Sequence, residues 1–263
     1  MPIDELPPLL RFNNITVPRD GKNALDGISL SIGARENVAI IGPNGCGKST
    51  LIKTITRELY PLVQPDSRIE LMGRESWNIF DLRGRLGIVT NDLMAACTRE
   101  ITGREAVLSG FFSSVGIWPH QRIAAAMEDK TRALLDRLEV PHLSDRFLSA
   151  MSSGEARRIL IGRALVHDPA ALILDEPTNS LDIHAMRSLR DAMRKLAQTG
   201  TSVILVTHHL PDIIPEINRV ILMTGGRVWR DGPKRELLTP RVLSELFRTR
   251  LEVAERDGYF HVW

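Results

Sequence analysis

Apolar and polar positions along this chain follow two rhythms, and the switching between them predicts alternating strands and helices. Residues 12–17 read as a strand, 18–21 as a turn, and 28–32 alternate with the period of two expected of a half-buried strand that closes at Gly33. Residues 37–42, 170–174 and 202–206 are instead continuous apolar runs, the pattern of parallel strands covered on both faces. Two more strands are expected at 68–72 and 86–90. Elsewhere helical spacing takes over. Ile123, Met127, Leu134, Leu135 and Leu138 recur near a 3.6 period over 122–139, and Pro141 stops the run. Ile183, Met186, Leu189, Met193 and Leu196 mark one face of a helix that Gly200 terminates. Residues 219–223 and 227–230, joined by Gly225-Gly226, read as a hairpin. The tail suggests a helix over 240–256 and a closing strand over 259–263. There is no internal repeat and no low-complexity linker. The pattern is α/β, interrupted from about 92 to 150 by a helical texture.

Composition narrows the classes of function. At 263 residues, with 43% hydrophobic and 25% charged, the chain is ordinary for a globular protein with a sizeable core. A net charge of +2, without a basic run interleaved with aromatics, gives no reason to expect a nucleic-acid partner. No apolar stretch approaches the roughly 18 residues of a membrane span, so direct membrane insertion is not expected. The opening Met1-Pro-Ile-Asp-Glu5 is unlike a secretory leader. Cys46 and Cys97 offer no disulfide framework, which suits reducing cytoplasm.

Candidate chemistry is concentrated in residues 42–50, Gly-Pro-Asn-Gly-Cys-Gly-Lys-Ser-Thr, which fit the phosphate-binding pattern G-x-x-x-x-G-K-S/T between a buried strand and a helix. Gly42, Gly45 and Gly47 let the backbone curl so that its N–H groups, with those of Pro43–Thr50 that can donate, face a concave nest for phosphate oxygens. Lys48 would reach the terminal phosphates, Ser49 would offer its hydroxyl to Mg²⁺, and the helix N-terminus adds positive potential. The chain is therefore expected to bind a nucleoside triphosphate. Asp175 closes the strand at 170–174 and is placed to hold Mg²⁺, and the adjoining Glu176 can accept a proton from water. Alone, Asp-Glu-Pro after a strand also suits a helix cap or a turn. Ser152 or Ser153 reads as an N-cap whose helix start, with Gly154, forms a second anion site, and the same pattern suits an ordinary capped helix.

Taken together, these segments resemble the ATP-binding cassette (ABC) ATPase family. GPNGCGKST is similar to its Walker A loop, LILDEP to Walker B and MSSGE to its signature. Ser180-Leu-Asp182 resembles the D-loop, and Thr207-His208 the switch histidine. The five occur in the family's order, and the resemblance spans about residues 9–240. It implies one ABC ATPase domain over 1–263: a P-loop NTPase (RecA-like) core, an N-terminal antiparallel β subdomain, an inserted α-helical subdomain at about 92–160 and a C-terminal extension at about 231–263. It also implies ATP and Mg²⁺ as ligands, and a head-to-tail homodimer, or a pair with a related cassette. Each ATP would lie between one subunit's Walker A and the other's Ser152, Ser153 and Gly154. Glu176 would polarise the attacking water, His208 would contact the γ-phosphate, and Asp182 would link the two sites. A separate membrane permease would be driven by the cycle, with the cassette cytoplasmic and peripheral on the inner face of the membrane. The insertion at 92–150 is where the family's cassettes meet the permease, making Phe111-Phe112 and Ile117-Trp118 candidate docking residues alongside a plain packing role.

The chain departs from the family's pattern at three positions. Asn91 stands where a glutamine usually reaches Mg²⁺, with the same amide on a stem one methylene shorter. Arg19 stands where an aromatic usually stacks on adenine, a job a guanidinium plane can also do. Glu155 replaces the signature glutamine and is expected to point away from the phosphates. The alternative function is a soluble ABC ATPase with a regulatory or interaction role and no transporter, prompted by Asn91 and by the terminal Tyr-Phe-His-Val-Trp.

Overall fold

The computed structural model describes residues 6–96 and 100–263, so Met1–Glu5 and Cys97 lie outside the described residues. In chain order the elements are strands β1 (Leu10–Arg19), β2 (Lys22–Ile32) and β3 (Val38–Ile41), helix α1 (Lys48–Ile55), β4 (Arg68–Leu71), α2 (Ile79–Arg85), β5 (Leu86–Val89), α3 (Asn91–Ala96), α4 (Gly103–Leu108) and α5 (Ala125–Arg137). There follow α6 (Ser153–Leu165), β6 (Ala171–Asp175), α7 (Ile183–Gln198), β7 (Ser202–Thr207), β8 (Arg219–Thr224) and β9 (Arg227–Pro233). The chain closes with α8 (Lys234–Leu237), α9 (Pro240–Phe247), β10 (Val253–Arg256) and β11 (Tyr259–Val262).

The central sheet runs β5-β6-β7-β3-β8-β9, parallel except for the edge strand β9. Its strands read as unbroken apolar runs because both faces are covered. On β3, Ala39 and Ile41 enter one core with α5, α6 and α7, while Val38 and Ile40 enter a second core with α1 and the antiparallel sheet β2-β1-β4. β6 and β7 split the same way, Leu174 and Leu205 to the first core, Ile173 and Ile204 to the second. The fold class is the expected one, an α/β core with an N-terminal antiparallel β subdomain and an α-helical insertion.

The strand order positions the site. β7 lies between β3 and β6, with Ile41 opposite Thr207 and Asp175 opposite Val206. The segments that leave the carboxyl ends of these three strands therefore begin side by side, and they carry Gly42, Glu176 and His208. Ligands of open α/β sheets bind at that edge.

Three expectations are corrected, the first being Ile123, which precedes α5 and is exposed instead of joining that helix's apolar face. The tail helix stops at Phe247, where Arg248 takes a left-handed φ of 54°, and residues 253–256 form a strand instead. The strand at the chain end pairs with that neighbour in a two-stranded hairpin. Ile183 does not join the buried stripe of α7. It is 83% exposed, because it is the first residue of the helix and lies beyond the core that takes Leu189, Met193 and Leu196.

Candidate functional site

Glycine shapes the loop after β3. Gly45 and Gly47 stand at φ of 77° and 109°, and a Cβ on Gly47 would meet the Ala24 carbonyl oxygen at 2.5 Å. Lys48 is buried, and its Nζ donates to the carbonyls of Gly42 (2.8 Å) and Pro43 (3.2 Å), closing the loop on itself. Asn44, Gly45 and Ser49 are exposed on the same loop, whereas Cys46 and Thr50 are buried. Burial pushes the Cys46 thiol up from its ordinary pKa.

Glu176 follows β6 with a left-handed φ of 47°, held by its own N–H donating to the Val206 carbonyl at 2.7 Å. That turn aims the carboxylate across the strand ends. Asn179 Nδ2 donates to its Oε2 at 3.0 Å, His208 Nδ1 lies 2.9 Å from its Oε1, and Lys48 Nζ lies 3.9 Å away. His208 also stacks on His209, with ring centroids 4.0 Å apart. Three residues separated by as much as 160 positions are thus brought to one carboxylate. Asp175 sits beside them at the end of β6. Burial, and then the adjacent Glu176 charge, push its pKa up to about 6, against the pull of Lys48 and Lys53.

The second motif region stands apart from the loop. Ser152 caps α6 in a capping box, its Oγ accepting from Glu155 N–H (3.3 Å) while Glu155 Oε2 accepts from Ser152 N–H (2.7 Å). The Glu155 carboxylate is thereby turned back onto its own helix start. Ser153 Oγ donates to the Ser180 carbonyl at 3.4 Å, and a Cβ on Gly154 would meet Ala185 Cβ at 2.6 Å. Asp182 caps α7, its Oδ1 accepting from Ala185 N–H at 2.7 Å. Among the described residues, no hydrogen bond or ion pair links Ser152, Ser153, Gly154 or Asp182 to residues 42–50 of the same chain. Arg19 lies at the β1–β2 turn, half-exposed and 3.6 Å from Asp20. The Asn91 Oδ1 accepts from Arg157 Nη2 at 3.1 Å.

The family profile described as ABC transporter matches residues 25–179, more than half of the chain. The chain belongs to the ABC transporter family. It is similar to an uncharacterised ABC transporter ATP-binding protein, YlmA, of Bacillus subtilis, at 31% identity over 93% of both chains. It also matches the hemin import ATP-binding protein HmuV of Bradyrhizobium diazoefficiens, at 32% identity over 90% of this chain and 88% of that one. A nucleotide-free ATP-binding cassette from an ABC transporter superposes with a TM-score of 0.78 and 25% identity, covering 92% of this chain and 99% of that one. The fold is shared by the ATP-binding cassette MJ0796, solved as a dimer bound to ADP and Pi, with a TM-score of 0.69 and 23% identity over 85% and 98% of the two chains. This cassette is an ATP-binding ATPase of the ABC transporter family, and the transporter role is favoured over an ATPase without one.

Sequence reasoning missed three contributors to the cassette's site. Asn179, three residues after Glu176, had a local signal in that spacing. Arg157 and Asp212 had none, because each acts across the fold. Asp212 is fully buried and its Oδ2 accepts from both Thr178 Oγ1 and Thr207 Oγ1, while its Oδ1 takes Arg190 at 3.0 Å. It therefore ties the segment after Glu176 to the strand end before His208.

Proposed function

We propose that two copies of this cassette close head to tail around ATP, hydrolyse it to ADP and phosphate, and so drive import through a separate membrane permease. The observation that carries the catalytic reading is the meeting of Lys48, Asn179 and His208 at the Glu176 carboxylate. In this reading Glu176 accepts the proton of the attacking water, and His208 and Asn179 hold its carboxylate in place. The loop of Gly42, Pro43, Asn44, Gly45, Cys46, Gly47, Lys48, Ser49 and Thr50 cradles the phosphates, with Lys48 leaving its own carbonyl partners to meet them. Arg19 stacks on the base. Ser152, Ser153 and Gly154 of the second copy complete the site and Asp182 links the pair, a division in keeping with the two motif regions of one chain sharing no hydrogen bond or ion pair among the described residues.

The donor set suits Mg²⁺. Among the described residues no cluster of three or more His, Cys, Asp or Glu is built to hold an ion. That matches an ion bound through one carboxylate and substrate phosphates rather than an all-protein cage. Asp175, whose burial raises its pKa, and the exposed Ser49 hydroxyl would hold the ion, whose charge would favour the ionised Asp175. Magnesium would supply neutralisation of phosphate charge. The Asn91 oxygen is engaged by Arg157, so an ion would have to compete for it.

Among the described residues no helix is long and apolar enough to cross a membrane. Attachment to the inner face of a membrane is therefore proposed to come through the permease. A groove of about 290 Å³ between the core and the helical insertion, lined by Leu82, Ile88, Thr90, Leu93, Val115 and His167, is the proposed seat for its cytoplasmic segment. Phe111 packs edge-on to His167 at 5.5 Å beside that groove, and Trp118 is 45% exposed. The deciding measurement is steady-state ATP turnover of Glu176→Gln, expected to fall at least about 100-fold, the lower range for loss of a general base. Turnover at the parental rate would remove Glu176 from the mechanism.

A further inference from the structure

Arg157 lies one turn into α6 and is 5% exposed, yet no carboxylate forms an ion pair with it among the described residues. The Asp212 carboxylate acts on it only at a distance. Its partners are neutral oxygens. Nη1 donates to the carbonyls of Glu176 (3.1 Å), Pro177 and Asn179 (3.4 Å), and Nη2 donates to Asn91 Oδ1 (3.1 Å). A buried cation without a paired anion is costly, and an apolar side chain of similar volume would fill the space more cheaply. What only a guanidinium supplies is a rigid fork of donors reaching four acceptors on two segments, which an amide with two donors or a point-charge ammonium cannot span.

Those acceptors are not scattered. Three are main-chain oxygens of the 176–179 segment, whose first residue holds the left-handed φ that aims its carboxylate at His208 and Lys48. The fourth is the amide at the head of α3, next in the chain to Thr90, which lines the groove between core and insertion. We propose that Arg157 is a positioning residue for ATP hydrolysis, its guanidinium fixing the backbone that presents Glu176 and tethering Asn91 to that backbone. Asn91 then acts through Arg157 rather than on the nucleotide directly. This inference rests on the assignment of Glu176 as the base.

The test is a double-mutant cycle on the full chain, reading kcat and KM for ATP hydrolysis together with the thermal unfolding midpoint. Arg157→Gln should lower kcat about ten-fold or more while KM moves less than about three-fold, since the phosphate loop is untouched. Asn91→Ala alone should lower kcat about three-fold or more, and should add nothing in the Arg157→Gln background. Independent, multiplying effects would overturn the tether, and a parental kcat for Arg157→Gln would overturn the positioning role. If Arg157→Gln lowers the unfolding midpoint, Arg157→Lys, which keeps charge and volume but not the fork, takes its place in the cycle with the same expectations. Glu176→Gln is assayed alongside. An active Glu176→Gln removes the base assignment itself, whereas an inactive one beside a parental Arg157→Gln removes only the role of Arg157.

Discussion

Glu155 shows how one side chain can settle a question its neighbours leave open. Its carboxylate accepts from Ser152 N–H and lies 3.8 Å from Arg146, so its charge serves the first turn of α6 instead of facing outward. The Ser152 N–H is the main reason its pKa falls below the ordinary value of 4.5, with the Ser152 hydroxyl, Arg146 and His142 adding to it against burial. A depressed carboxylate pKa stabilises the fold fully above the unfolded value and loses that contribution as pH falls through the folded one. Glu155→Ala should therefore cost about 1 kcal/mol in urea unfolding at pH 7, the scale of a lost cap with its helix-end charge. The gap between variant and parent should close as pH drops below 4.5. A gap that is constant with pH would mean the carboxylate does not cap α6. Arg157 is the opposite case at this scale. Its partner Asn91 is 66 positions away, and no linear pattern announces the pair.

Among the elements, legibility followed how local the controlling interaction is. β3, β6 and β7 could be read because burial on both faces leaves an unbroken apolar run, and the phosphate loop because its motif is contiguous. In the C-terminal hairpin the closing strand follows its apolar pattern, but β10 does not, because residues 248–252 remain compatible with a helix and only the left-handed turn at Arg248 ends α9. A local signal was present all the same. Asp257-Gly258, at φ of 53° and 80°, is the pair that favours a tight primed turn between strands. The hairpin is anchored by Phe260, 4% exposed and part of the core that α7 and β7 also line. Phe260→Ala should destabilise the cassette by about 3 kcal/mol, the lower end for deleting a buried ring. Equilibrium unfolding measures it, and a loss under about 1 kcal/mol would mean that the hairpin is only loosely attached.

For the whole molecule, the decisive question is whether one copy can complete a site by itself. Among the described residues no hydrogen bond or ion pair joins the loop at 42–50 to the caps at Ser152 and Asp182, while Ser153 to Ser180 fastens the signature to the D-loop segment. That segment leads directly into Ile183, the residue that helical period assigned to the core and that stands 83% exposed. A single exposed isoleucine is ordinary on a surface. This one borders Asp182 and the signature, where a second copy is proposed to close, and the small net charge of +2 offers little electrostatic resistance to pairing. In the Glu176→Gln background, where ATP persists, light scattering should show a dimer that forms on adding ATP with Mg²⁺. Ile183→Asp in that background should weaken dimerisation about ten-fold, roughly 1.4 kcal/mol, with ATP binding to the monomer unchanged. Equal dimer affinity with and without the substitution would move the contact away from α7. A monomer at every ATP concentration in the Glu176→Gln protein would argue against a shared site altogether, leaving the signature without a phosphate to meet.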